Sequence, residues 1–95
     1  MNAEMLKRLR KMQAEMERKQ KELDKKEFSI EKQGIKVTMY GNLDLKSITI
    51  DEALIDPEDK DIIEELLVLA INELKEIVEE EQEKLVPQAP GNLPF

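Results

Sequence analysis

Cations are the side chains of this sequence best placed to do chemistry. Lys7, Arg8, Arg10 and Lys11 fall within about one and a half helical turns, and Arg18, Lys19, Lys21, Lys25 and Lys26 follow. Phosphate contact requires only positive charge in reach, and the binding it gives is sequence-tolerant and salt-sensitive. No helix carries Asn and Gln arranged for base edges, so strong sequence choice is not expected. On composition alone the same residues are explained as solubilising charge that neutralises nearby glutamates, because the chain carries −7 and repels a polyanion at long range.

Catalysis has little to work with. Histidine and cysteine are absent, which excludes the usual zinc sites, thiol nucleophiles and imidazole bases. Three isolated glycines make no phosphate-cradling loop, and no Walker or dinucleotide motif occurs. Asp51, Glu52, Asp56, Glu58, Asp59 and Asp61 lack the spacing and central glycine of a calcium loop, so they read as helix caps and a solvated face. Glu79, Glu80, Glu81 and Glu83 read as solubilising charge, and Tyr40 as a packing residue at a strand end. The expectation is a protein that is not an enzyme, with no metal, no cofactor and no small-molecule substrate.

The elements that must position the cations follow from periodicity. Asn2 to Lys26 contains no Gly or Pro and spaces Met5, Leu9, Met12, Met16 and Leu23 in fours and threes, interrupted at Lys19 and Gln20. That predicts one long helix with an apolar seam. Glu4 with Arg8, Glu15 with Lys19, and Glu17 with Lys21 have the spacing of helix ion pairs. Three strands come next, alternating at Phe28 and Ile30, at Ile35, Val37 and Met39, and at Ile48 and Ile50, with turns at Gly34 and Gly41-Asn42. Leu43 and Leu45 are out of phase with Ile48 and Ile50; a bulge near Lys46 or Ser47, or a longer loop, reconciles them. Connections this short imply an antiparallel meander.

A second helix opens with Asp56 as N-cap and Pro57 in the first helical position. Ile62, Ile63 and the run Leu66 to Ile71 then cover its whole circumference, so something must cover the side away from the sheet. From Asn72 the apolar residues thin to Leu74, Ile77, Val78 and Leu85, which reads as a core half followed by a projecting arm. A second copy of the chain is the simplest cover, with Val37, Met39, Ile48, Ile63, Leu66, Leu67, Ala70, Ile71 and Leu74 as the expected dimer interface. In the alternative, a monomer, the first helix lies over that face. Apart from that choice, its seam is expected to pack on the Leu74, Ile77 and Leu85 side of the second helix, a docking that the opposite charge of the two arms favours.

Ninety-five residues make one domain, expected over 1–86, with a flexible Pro-rich tail over 87–95 that could also serve a partner as an extended ligand. Residues 1–26 carry nine Lys/Arg against five Asp/Glu, whereas 51–95 carry three against fourteen. A basic arm and an acidic arm are therefore joined by a neutral middle. The lack of cysteine allows a reducing cytoplasm, and with no signal peptide and no run of 18 apolar residues neither secretion nor membrane contact is expected.

The segments MLKRLRKMQAEM (5–16), GIKVTMYGN (34–42), LKSITIDEAL (45–54), DIIEELLVLAINELKEIVEE (61–80) and PGNLPF (90–95), in that order, resemble the YbaB/EbfC family of bacterial nucleoid-associated proteins. The resemblance spans essentially the whole chain, and the stretch ending in ITID before the apolar helix with Ala70 and Asn72 is its most specific part. It implies an α+β fold: a long N-terminal helix, a three-stranded antiparallel meander and a long C-terminal helix, in an intertwined homodimer with projecting helical arms. It further implies a cytoplasmic protein that associates with the nucleoid and binds double-stranded DNA broadly. The family's glycine-rich turn after the first strand is usually longer than the Gln33-Gly34 found here. Two rivals share the element order or the charge: a prefoldin-like chaperone subunit using Met5, Met12 and Met16 as an adaptable face, and an acidic adaptor for a basic protein.

Overall fold

A computed structural model gives the fold and describes residues 2–85; the Pro-rich tail expected over 87–95 lies outside them. Helix α1 (Ala3–Lys25) is followed by strands β1 (Glu27–Lys32), β2 (Ile35–Tyr40) and β3 (Leu45–Ile50), two single 3₁₀ turns, and helix α2 (Lys60–Glu83). The strands form the antiparallel meander β1-β2-β3.

Its turns follow from local residue chemistry. Gln33 and Gly34 both take positive φ, 47° and 92°, the two-residue hairpin geometry whose twist matches the flanking strands. Between β2 and β3, Thr38 faces Ser47 but Met39 faces Leu45. Lys46 is thus the extra residue of a bulge, which resolves the phase conflict expected at that point. Central β2 turns Ile35, Val37 and Met39 to one face, all buried, and on the other Thr38 shares a 2.9 Å hydrogen bond with Ser29 of β1.

Helix α2 packs over β1 and β2 and leaves β3 largely uncovered. Leu66, Ala70, Leu74 and Val78 form its buried row at four-residue spacing. That row reaches Val78, so α2 is a core element almost to its end; the thinning after Asn72 marks the loss of its outer apolar face, not the start of a free arm. Full burial of a side chain such as Leu74 is worth about 1.5–3 kcal/mol. Lys32 of β1 ion-pairs with Glu73, which fixes one flank of α2 above the β1 edge. Asp56 accepts a 2.9 Å bond from the Glu58 amide, so it caps the 3₁₀ turn one turn ahead of the α-helix proper.

Helix α1 stands away from this body. Asn2 caps it through a 2.8 Å bond from the Met5 amide, and none of its residues is buried. The molecule consequently measures 69 × 29 × 13 Å. Helix α1 does not cover the outer face of α2 in this chain, and Leu74 points into the sheet, so only Leu85 of the expected seam partners meets Met12 and Met16. The three expected i,i+4 ion pairs are not formed; Arg18 bonds Glu22 at 2.7 Å. Exposed pairs of this kind are worth only about 0.3–0.5 kcal/mol, too little to dictate which of several forms.

The junction of arm and body is built on Gly41. Its amide donates to the Lys26 carbonyl at 2.9 Å, and its own carbonyl accepts from the Gln82 side chain. A Cβ there would sit 1.8 Å from the Leu23 carbonyl oxygen.

Candidate nucleic-acid interface

At about 100° per residue, Lys7, Arg10, Lys11, Arg18, Lys21 and Lys25 project from one arc of α1, opposite the seam of Met5, Leu9, Met12 and Met16. The cationic face runs about 27 Å from Lys7 to Lys25, using 1.5 Å per residue. All six are exposed, and among the described residues only Arg18 has a carboxylate partner.

The other three expected cations do not join this face. Arg8 emerges beside the seam, Lys19 lines a hollow with Met12, Met16 and Leu85, and Lys26 lies beyond the helix with its Nζ 5.2 Å from the Phe28 ring centre. The division is written in the 3.6-residue period but hidden by clustering along the chain, which puts Arg8 with its neighbours and Lys19 with Arg18.

The field along the arm is graded. Gln20, near its base, lies against Glu79, Gln82 and Glu83 of α2, and Glu76 and Glu80 extend that acidic flank. The Lys84 ammonium, hydrogen-bonded to Glu81 at 2.9 Å, holds that carboxyl below its usual range and is itself held protonated to higher pH. Lys46 is likewise raised by its bond to Glu27 at 2.6 Å, which ties it to the sheet. The least opposed positive charge therefore sits toward the tip, at Lys7, Arg10 and Lys11. Among the described residues, no acidic cluster has metal-binding geometry and no helix is long and apolar enough to cross a membrane.

The residues expected at a dimer interface separate in the same way. Val37, Met39, Leu66, Ala70 and Leu74 fill the chain's own core, Ile63, Leu67 and Ile71 are half-buried at its edge, and Ile48 is 42% exposed. The open apolar surface also includes Leu45 and Val68, the latter 59% exposed. Because Glu73 looks toward β1, helical spacing puts Leu67, Ile71 and Val68 on the flank toward β3, beside Leu45 and Ile48.

Fold and site together define a small α+β protein that carries a one-sided cationic helix on a mostly acidic body. This chain belongs to the YbaB/EbfC DNA-binding family, whose model matches residues 1–93. It is 54% identical over 93 residues to a nucleoid-associated protein of Mycoplasmopsis pulmonis, covering 97% of this chain and 93% of that one. It is 52% identical over 82 residues to a nucleoid-associated protein of Metamycoplasma arthritidis, with 86% of each covered. The crystal structure of the uncharacterized protein HP0035 from Helicobacter pylori has the same fold, with a TM-score of 0.72 over 90% of this chain and 92% of that one at 24% identity.

Proposed function

We propose that this protein is a nucleoid-associated, cytoplasmic DNA-binding protein that grips duplex DNA as a homodimer with little sequence selectivity. The observation that carries the reading is the exposed six-cation face on a helix none of whose residues is buried. Such a face supplies phosphate contacts along about 27 Å, or about eight base pairs at 3.4 Å each, and offers no array of amides for base edges. The net −7 is no obstacle at contact range, because salt screens the acidic body beyond about 10 Å while the arm's cations touch phosphate directly. Titration of unrelated duplexes across a salt series is expected to give nearly equal affinities and a log–log slope of about −5 per engaged arm, from 0.9 per phosphate. A slope near zero, or retention of one sequence alone, would overturn the reading.

Dimerisation is supported by the uncovered side of β3. Leu45, Ile48 and Val68 leave apolar area in water beside the half-buried Leu67 and Ile71, where a second copy would restore the missing layer. Sedimentation equilibrium at micromolar concentration is expected to show dimers. Ile48→Glu, at a position exposed in the single chain, is expected to leave the fold intact and weaken association at least about tenfold, since losing an apolar contact buried at an interface costs about 1–2 kcal/mol. Wild-type monomers, or an unchanged dimer in the variant, would remove this face from the assembly.

A further inference from the structure

The methionine seam of α1 is an exposed apolar stripe that neither the DNA reading nor the dimer face uses. Met5 and Met12 are 55% and 60% exposed, and Leu9 and Met16 are exposed as well, on the side of the arm turned away from the cations. We propose that the occupant of this seam is the chain's own C-terminal segment, Val86 to Phe95, laid along α1 from Met16 toward Met5.

Three observations converge on that segment. The first is direction. The end of α2 runs beside α1 in antiparallel sense: Gln82 and Glu83 lie against Gln20, and Lys84 and Leu85 lie with Lys19, Met16 and Met12 around a hollow of about 240 Å³. A chain continuing on that course meets Leu9 and Met5 next. The second is reach. Ten residues span about 31 Å in the extended helix that prolines favour, whereas Met12 to Met5 is only about 10 Å along α1.

The third is chemistry. VPQAPGNLPF contains no charged residue, in a chain whose residues are 39% charged, and it supplies Val86, Leu93, Phe95 and three prolines. A pre-extended apolar ligand loses little conformational entropy on docking, and flexible thioethers adapt to an irregular surface and favour aromatic rings. The hollow beside Leu85 would take the first residues, and the seam the rest. With the segment in place the arm shows water its cations and hides its methionines.

The absence of native cysteine makes the test direct. The full chain is prepared with Asn92→Cys carrying a nitroxide and with methyl-labelled methionine, without DNA. The Met5 and Met12 methyl signals are expected to broaden strongly, with Met39 in the sheet core as the distant control. They are expected to recover when Leu93→Asp and Phe95→Asp are added, because charge on the segment cannot enter the seam. Equal relaxation of all methyls, or no recovery with the two aspartates, would overturn the proposal. A mixture in which nitroxide and labelled methionine are on different chains is expected to show no broadening. Broadening there would assign the seam to another copy's segment and overturn the own-chain assignment.

Discussion

Gly41→Ala is expected to cost this protein stability toward the upper end of the ~1–3 kcal/mol typical of overpacking, although it adds a single methyl group. The new Cβ would lie 1.8 Å from the Leu23 carbonyl oxygen and 2.7 Å from its carbonyl carbon. Both are backbone atoms at the end of a helix, so no side-chain rotation relieves the clash. Displacing Gly41 also breaks its amide bond to Lys26 and its carbonyl bond from Gln82. For a domain of this size the loss corresponds to a fall in Tm of roughly 10 °C or more. Gly34→Ala makes a useful contrast: its nearest obstacle is the Leu54 Cδ1 at 2.9 Å, the movable end of a side chain, and its φ of 92° brings backbone strain of about 1 kcal/mol. Thermal denaturation of the two variants decides the matter. A Gly41→Ala protein that melts with the wild type would mean that the close approach of arm and turn is not required.

Removing Lys7, Arg10 and Lys11 together is expected to weaken duplex binding on the order of 100-fold at 0.1 M salt, and to lower the salt slope by about three per engaged arm. The informative control changes the net charge equally: Arg8, Lys19 and Lys26 to alanine. These three lie off the cationic arc, one beside the seam, one in the hollow and one against Phe28. Their loss is expected to leave the slope nearly unchanged. If the two triple variants weaken binding alike, net charge rather than the face governs binding, and the site is wrong. Because every substituted side chain is exposed in the described structure, the variants are expected to melt near the wild type.

Local signals are legible in the sequence: the glycine turn at Gln33-Gly34 and the extra residue at Lys46 follow from chemistry within a few positions, whereas Asp56-Pro57 opens a 3₁₀ turn ahead of α2 rather than the α-helix itself. The depth of α2's core is not legible, because the apolar count around the helix falls after Asn72 while the single row Leu74 and Val78 goes on packing against the sheet. The residues expected at the interface fall into two populations for the same reason. Val37 and Leu66 are as apolar as Ile48 and Val68, and composition cannot tell which an adjoining layer of the same chain has already covered. Among the cations, all nine cluster along one stretch of the sequence; only the helical period separates the six that share an arc.

The joint at Gly41 has a mechanical consequence. Helix α1 is a lever about 35 Å long, from 23 residues at 1.5 Å each, anchored at its inner end by the backbone bonds around Gly41 and flanked as far as Met12 by the end of α2. A yaw of about 10° at the pivot carries the far end about 6 Å, nearly two base-pair steps at 3.4 Å. If the arm carries duplex DNA as proposed, such a yaw would leave Lys25 in register while displacing Lys7, and one arm would follow a straight or a curved duplex without repacking the sheet.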